Sequence, residues 1–276
     1  HVIEVIEIVA NQPLAWIKRN FPMGTVAGTF LHEIFEHIDF KDQQDWSLEI
    51  RRRFKNDDIY LWQQLLERYQ QRHDLPSDTV LEDYALSEVQ DWLAKILATP
   101  IHADFCLQQL SPEQHLAEFP FFMALSDQVF AVQRLHALFQ EYQLYMPEFN
   151  PAESARYLNG AIDLVYEHQG RFYIADYKSN YLGDSLQDYS ALGIQQNMSQ
   201  SSYWLQASIY LVALHRYLQT RLENYAIEQH LGGASYLYLR GMSAQAGYGS
   251  FFWQPEPEFI LRLDAILGYA KVKQTV

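Results

Sequence analysis

Cysteine, positive charge and long apolar runs are what this 276-residue sequence has least of. A single cysteine, Cys106, excludes an internal disulfide framework, a cysteine-based zinc site and a four-cysteine iron–sulfur cluster. This scarcity fits a reducing, cytosolic setting. No apolar run reaches the roughly 18 residues that a membrane-spanning helix needs, so we expect no membrane partner.

Basic residues are outnumbered by acidic ones, 20 against 34, which gives a formal net charge of −14. Neutralising phosphates takes a basic surface, so this balance argues against unaided capture of nucleic acid or of anionic lipid. The composition, 49% hydrophobic and 15% aromatic, is that of a globular chain with a substantial core. The start at His1, without a signal-peptide pattern, suggests a piece of a longer protein.

Several common catalytic motifs are also missing. The sequence has no G-x-x-x-x-G-K-[ST] loop, so we expect no ATP site in this chain. It has no G-x-G-x-x-G, no G-x-S-x-G and no H-E-x-x-H. A nucleophilic triad is not excluded by these absences, but no spacing points to one.

Apolar periodicity indicates a helical first half and a mixed second half. Helices are predicted over 28–40, 59–72, 79–98, 203–222 and 256–270, and strands over 116–124, 157–166, 171–179 and 233–240. Thr29 is the predicted N-cap of the first helix. The polar stretch 184–202 is predicted to be a loop with at most a short helix. The simplest account is one α/β domain with a helical N-terminal half.

The second and third predicted strands form a hairpin that carries the most informative residues. A two-residue Gln-Gly turn sets a register in which Asp163 faces Asp176, with Cβ atoms roughly 5 Å apart. Lys178 shares the face of Asp176 because strand side chains alternate. Oxygen ligands at this spacing suit Mg²⁺ or Mn²⁺, and a neighbouring lysine can polarise an attacking water. Alternatively, these residues simply mark the solvent face of the hairpin.

A second set of candidates lies on the first predicted helix. Gly28, His32 and Glu36 recur every four residues and share one helix face. Glycine allows close approach to another backbone, and His32 could supply an imidazole ligand to a metal. An ordinary surface histidine is the alternative.

Three further residues are candidates for the same chemistry. Gln206 and Tyr210 lie one helical turn apart, although an aromatic packing stripe would show the same spacing. Glu118 interrupts an aromatic strand and needs a partner there, so it is either a further acid of the metal site or an outward-facing residue.

In this order the motifs resemble the PD-(D/E)xK nuclease superfamily, and within it the RecB-type nuclease domain, from about Phe21 to Gly268. The matching segments are G-x-x-x-H-x-x-x-E at 28–36, G-A-I-D-L-V at 160–165, D-Y-K-S-N at 176–180, Q-x-x-x-Y at 206–210, L-H-R-Y-L at 214–218, and G-G followed by Y-L-Y-L-R-G within 232–241. The resemblance implies a restriction-endonuclease-like core with a mixed central sheet flanked by helices. It implies one nuclease domain over 1–276, with a helical part over about 1–110 and the core over about 115–276.

The resemblance also implies a role for each motif residue. The implied metal ligands are His32, Asp163, Asp176 and the backbone carbonyl of Tyr177. Lys178 is the implied catalytic lysine, acting with Asp163, Asp176 and Glu118, while Gln206, Tyr210 and Glu36 support the site. The residue before Asp163 is isoleucine and the acid before Lys178 is aspartate, both of which the RecB branch permits.

The implied activity is Mg²⁺-dependent hydrolysis of DNA, mainly single-stranded, with Mn²⁺ or Ca²⁺ also able to occupy the site. Some relatives add an iron–sulfur cluster, which the one cysteine here cannot build. The implied partners are an upstream helicase portion of the same subunit and two other subunits of a helicase–nuclease for double-strand-break processing and recombinational repair. The implied location is the bacterial cytoplasm, at the nucleoid.

Two other functions remain open from the sequence. One is a nuclease-like interaction module whose site is idle or regulatory, and the other is a Mg²⁺-dependent phosphatase acting on a small substrate. Because acidic residues outnumber basic ones, the nuclease interpretation predicts a domain that binds DNA weakly by itself and cuts DNA that something else delivers.

Overall fold

A computed structural model describes residues 12–77, 79–123, 128–146 and 159–268, with only the backbone of 128–130. Its α-helices are α1 (Trp16–Asn20), α2 (Thr25–His37), α3 (Trp46–Asn56), α4 (Ile59–Gln70), α5 (Leu81–Leu97), α6 (Gln128–Glu141), α7 (Ala191–Gln200), α8 (Tyr203–Arg221), α9 (Ile227–His230) and α10 (Pro257–Leu267). Its strands are β1 (His115–Phe122), β2 (Asn159–His168), β3 (Arg171–Lys178), β4 (Leu231–Tyr238) and β5 (Ser250–Trp253). The predicted ends at 124, 157–158 and 269–270 lie outside the described residues.

The strands form one mixed five-stranded sheet, in the order β1-β2-β3-β4-β5, with flanking helices. Strands β2 and β3 are antiparallel, with Leu164 opposite Ala175. Their turn residues Gln169 and Gly170 have φ values of 52° and 78°, the positive angles of a tight hairpin turn that matches strand twist. The predicted α/β class, the helical N-terminal half and this hairpin are confirmed.

The chain folds as two compact units, each assembled from separate stretches. Unit 1 comprises His1–His115, Tyr177–Ile194 and Ser235–Phe251, and unit 2 comprises Leu116–Asp176, Gln195–Ala234 and Phe252–Val276. The single nuclease domain over 1–276 stays a prediction. Among the described residues, no helix is both long and apolar enough to cross a bilayer.

Unit 1 is held together by aromatic side chains from helices α2 to α5 and the segment before α2. Phe30 stacks on Phe54 with 4.1 Å between ring centroids, and Phe54 lies 4.6 Å from Trp62. Phe21 meets the edge of Trp92 at 5.3 Å. All five rings are at most 4% exposed, so they are the centre of this unit's core.

Helix α2 begins at Thr25, three residues earlier than the sequence pattern predicts. Its N-cap is Gly24, with φ of 99°, and not Thr29, so the predicted cap is wrong. Glycine takes this backbone conformation without steric cost, and the chain can therefore turn into the helix before the first apolar position. Thr29 is instead an exposed residue within the helix, five positions after the N-cap.

Unit 2 packs its helices against one another through aromatic edges. In α10, Phe259 lies 5.6 Å from Phe139 in α6 and 5.8 Å from Trp253 in β5. Helix α8 is the predicted 203–222 helix, and it buries eleven of its nineteen residues, which is more than a one-sided stripe. Arg216 of this helix donates to the Asp264 carboxylate at 2.5 Å, which ties α8 to α10.

The stretch 184–202 is mostly helical, contrary to the loop prediction. It contains a 3₁₀ turn at Leu186–Tyr189 and then α7. Within α7, Ile194 and Met198 are fully buried and lie one turn apart. Two buried side chains are too few to show as periodicity in a polar sequence, although they are enough to fix the helix in place.

Lys18 in α1 is buried in unit 1, where it is 2% exposed. Its amine donates to the carbonyl of Met242 and to Ser243 Oγ. Burial lowers the pKa of Lys18 from 10.5 to about 7. A neutral amine keeps two N–H donors, so both hydrogen bonds persist without the charge.

We expect the free energy of unfolding to rise with pH between about 7 and 10.5 because of Lys18. In that window the unfolded chain still binds a proton that the folded chain has released, so raising the pH favours the folded state by up to about 1.4 kcal/mol per pH unit. Urea unfolding at pH 7.5 and 9.5 should show that Lys18→Met removes this rise. The surface variant Lys55→Met should keep it, and equal slopes in Lys18→Met and the parent would contradict the assignment.

Candidate active site

Unit 2 contributes three carboxylates, one from each of its first three strands. Asp163 of β2 and Asp176 of β3 come directly after the Leu164–Ala175 pair, and the same register continued by one residue sets them opposite each other. Carboxylate oxygens of Glu118 in β1 and Asp163 lie within 4.8 Å of one another. Asp176 is only 2% exposed, so it does not lie on a solvent face.

Glu118 reaches Asp163 from an unusual backbone conformation. Its φ is 48°, although it is not glycine and lies within β1, at the end of the strand order. A left-handed residue in an edge strand changes the direction of its side chain, as a β-bulge does. Such strain costs roughly 1–3 kcal/mol and persists where surrounding contacts fix it. Nothing in the sequence signals this φ.

The predicted helix pair is in place beside these carboxylates. Gln206 Nε2 donates to the Tyr210 hydroxyl at 2.9 Å, and the Tyr210 ring meets Phe121 edge-on at 5.3 Å. Burial, and then the negative charges of Asp176 and Asp163, raise the pKa of Tyr210. A tyrosine hydroxyl is already protonated at neutral pH, and that of Tyr210 can donate a hydrogen bond.

Unit 1 contains His32 and the end of β3, from Tyr177 onward. His32 Nε2 lies 2.8 Å from the carbonyl oxygen of Tyr177, the residue bonded directly to Asp176. Phe35 stacks on the Tyr177 ring with 4.6 Å between centroids. A Cβ at Gly28 would lie 3.1 Å from Ser179 Oγ, so glycine permits this close approach of α2 to β3.

Lys178 ends β3 two residues after Asp176. Its Nζ lies 5.4 Å from the ring centroid of Tyr236 in β4, a cation–π distance. Its carbonyl accepts a hydrogen bond of 3.0 Å from the Leu239 amide. These contacts hold the lysine from both its backbone and its side chain. The sequence motif included Tyr236 without indicating this contact.

Glu36 occupies a different setting from His32 on the same helix. Its side chain is exposed, and an oxygen lies 3.8 Å from Nδ1 of the neighbouring His37. Its supporting role stays a prediction.

Arg240, just beyond β4, is fully buried and bonded entirely to backbone carbonyls in the contacts described. It donates to Ser179 at 2.9 Å, to Lys18 at 2.6 Å, to Phe21 at 3.2 Å and to Pro22 at 2.8 Å. One guanidinium thus joins the chain before α2 to the residue after Lys178. An arginine inside the apolar run Y-L-Y-L-R-G is the sequence signal that could have indicated this role.

A cavity of about 590 Å³ opens in unit 1 next to His32. Its walls come from the start of α2 and from the segment after β3. The lining residues are Met23, Gly24, Thr25, Gly28, Thr29, His32, Ser179, Asn180 and Tyr181.

The donor set fits a hard divalent cation. In unit 2, two carboxylates within 4.8 Å repel each other unless a cation or a proton intervenes. In unit 1, the 2.8 Å separation of His32 Nε2 and the Tyr177 oxygen is close to the roughly 3 Å between adjacent ligands of an octahedral Mg²⁺ with bonds of about 2.1 Å. Oxygen donors with one imidazole suit Mg²⁺ or Mn²⁺.

Comparison with known proteins agrees with this chemistry. Residues 14–259 match the family model of the PD-(D/E)XK nuclease superfamily. The chain belongs to this superfamily. It is 31% identical over 255 residues to the RecBCD enzyme subunit RecB of Haemophilus influenzae and to that of Escherichia coli, covering 90% of this chain and 19% of each RecB. The RecB subunit of Mycobacterium tuberculosis is 39% identical over 125 residues, which is 42% of this chain and 11% of that protein.

Membership of the PD-(D/E)XK superfamily makes this chain a metal-dependent DNA nuclease, a hydrolase of phosphodiester bonds. It spans about a fifth of the length of the RecB subunits that it resembles.

Proposed function

We propose that this PD-(D/E)XK chain is the Mg²⁺-dependent nuclease domain of an exodeoxyribonuclease V-type helicase–nuclease and that it cuts mainly single-stranded DNA. The observation that carries the proposal is the closeness of the Glu118 and Asp163 carboxylates on neighbouring strands, in a hairpin whose register sets Asp176 opposite Asp163 and ends at Lys178. The similarity to RecB over most of the chain supports the helicase–nuclease context.

His32, Asp163, Asp176 and the carbonyl of Tyr177 would hold the cation. When bound, Mg²⁺ supplies Lewis acidity, lowering the pKa of a coordinated water and offsetting charge on the phosphate. Lys178 then has the task of holding the attacking water through its amine and stabilising the negative charge that develops on phosphorus.

The remaining residues position this group. Gln206 donates to the Tyr210 hydroxyl, so the hydroxyl proton is available for another acceptor. The raised pKa of Tyr210 favours this protonated form. Glu118 adds negative charge next to Asp163, which strengthens attraction for a divalent ion.

The net charge of the chain determines how it can obtain a DNA substrate. A formal net charge of −14 repels the phosphate backbone, so the domain depends on delivery of the strand. We propose that an upstream helicase portion of the same subunit, with two further subunits, supplies single strands during double-strand-break processing and recombinational repair in the bacterial cytoplasm at the nucleoid. The similarity to RecBCD subunits supports this assignment.

Calorimetric titration with Mn²⁺ tests the metal site. The parent should bind the ion, and Asp163→Ala and His32→Ala should each lose binding, because removing one ligand from a small cage leaves the others insufficient. The parent should cleave single-stranded DNA with Mg²⁺, faster than duplex and not after chelation, whereas Asp163→Ala and His32→Ala should not cleave it. Asp83→Ala, which removes an exposed carboxylate on α5, is the matched control. Undiminished Mn²⁺ binding in Asp163→Ala would favour an idle, interaction-only site.

A further inference from the structure

The cavity beside His32 offers a binding surface in addition to a proposed metal ligand. We propose that it seats the nucleotide next to the scissile phosphate, with the Tyr181 ring as the platform on which its unpaired base stacks. This inference rests on the proposed nuclease function. It makes Tyr181 a determinant of selectivity for single strands.

The location and size of the cavity fit one nucleotide. It is lined by His32, a proposed metal ligand, and by Ser179, the residue after Lys178. A nucleotide held there therefore lies next to the groups that act on the phosphodiester bond. The volume of about 590 Å³ falls in the range of ligand clefts, roughly 300–1,000 Å³.

The walls of the cavity are chemically unlike the rest of this acidic chain. Of the described residues that line it, none is Asp or Glu, against 34 in the whole sequence. Thr25, Thr29, Ser179 and Asn180 offer neutral hydroxyl and amide groups instead. Such groups can hydrogen-bond phosphate and sugar oxygens without the repulsion that a carboxylate would add.

Exposed apolar surface completes the cavity. Met23 is 57% exposed and Tyr181 is 37% exposed, so both present surface to solvent at its edge. An aromatic face of this kind stacks on a nucleobase irrespective of sequence. The combination of neutral donors with an exposed aromatic ring therefore matches a nucleotide better than a bare phosphate.

Two contacts restrain Tyr181 and the backbone beside it. Its hydroxyl forms a hydrogen bond with Asp184, which raises the pKa of Tyr181, and the charge of Asp188 acts in the same direction. Neither aspartate lines the cavity. The adjacent Leu182 amide donates to the Tyr189 hydroxyl at 3.1 Å, which fixes the backbone after the ring. Stacking on a fixed ring costs little conformational entropy.

Stacking on Tyr181 requires a base that is not already stacked and paired. In a duplex each base is held between its neighbours, and extruding one requires breaking its stacking and pairing. The cavity thus favours single strands by the chemistry of its wall, without reading sequence.

Fluorescence anisotropy of labelled oligothymidylate and of a hairpin duplex, with Ca²⁺ in place of Mg²⁺, tests the proposal. Tyr181→Ala should lower affinity for the single strand about tenfold and change duplex affinity less than twofold. Tyr181→Phe, which keeps the ring, should stay within about threefold of the parent. Tyr60→Ala, which removes a 68% exposed tyrosine from α4, is the control and should match the parent.

Oligonucleotides with one abasic position locate the stacked base. With the parent, one abasic position should cost about tenfold in affinity, and with Tyr181→Ala that same position should cost nothing further, since both changes remove one contact. Additive losses, or equal losses for single strand and duplex, would overturn the inference. The nuclease proposal would survive that result if the parent still cleaved DNA with Mg²⁺ and Asp163→Ala did not.

Discussion

Replacing Lys178 with alanine should lower kcat for single-strand cleavage by about 10²–10⁴-fold and leave Mn²⁺ binding unchanged. The lysine is the cation at the end of β3, held 5.4 Å from the Tyr236 ring, and it is outside the proposed ligand set. Its loss therefore removes stabilisation of the reacting groups without removing a ligand. Rates should be measured at saturating Mg²⁺ so that metal affinity does not enter.

Asp176→Asn is the companion variant that separates the two roles. It should lose Mn²⁺ binding together with cleavage, because a neutral amide replaces a carboxylate that is 2% exposed and faces Asp163. Circular dichroism and thermal unfolding establish that both variants fold. Loss of Mn²⁺ binding in Lys178→Ala, or full cleavage by Asp176→Asn, would contradict the assignment of Lys178 to the chemical step and of Asp176 to metal binding.

The hairpin shows why part of this site was predictable from sequence. A two-residue turn fixes the register, and alternation of side chains then fixes which residues face each other. Asp163, Asp176 and Lys178 therefore follow from local rules alone. The spacing of Gly28 and His32 similarly follows from one turn of helix, with glycine marking the close approach to Ser179.

Other features of the structure, both outside and within the site, could not be predicted from local sequence patterns. Helix α3 went unpredicted because it is rich in charge and buries only Trp46, Ile50, Arg53 and Phe54. The cavity joins residues 23–32 to residues 179–181, which no local period connects. The positive φ of Glu118 likewise reflects tertiary contacts overriding the preference of a strand.

The structure shows that the acidic residues are unevenly distributed. Carboxylates in unit 2 are concentrated where a cation is proposed to bind, while the cavity in unit 1 has no acid among its described lining residues. The proposed nucleotide seat therefore adds no negative charge of its own, although the net charge of the chain repels DNA. The proposed delivery by a helicase would overcome the long-range repulsion, and the neutral cavity adds no short-range one.

Arg240→Met should lower the free energy of unfolding by about 3–5 kcal/mol and the melting temperature by about 10 °C. The side chain is fully buried, and its guanidinium donates to four carbonyls, those of Ser179, Lys18, Phe21 and Pro22. Methionine fills a similar volume and donates nothing, so buried carbonyls lose their donors, and each unsatisfied group costs about 1–3 kcal/mol.

The variant Arg240→Lys separates the contribution of the planar guanidinium geometry from that of the positive charge. A lysine keeps the positive charge, but its donors lie on a single atom and cannot reach carbonyls arranged around a planar fork. We therefore expect a stability between those of the parent and Arg240→Met, measured by urea unfolding. Arg51→Met, which removes an exposed arginine paired with Asp83, should change stability by less than about 1 kcal/mol. If Arg240→Lys were as stable as the parent, charge alone would account for the contact, and the fork geometry would not matter.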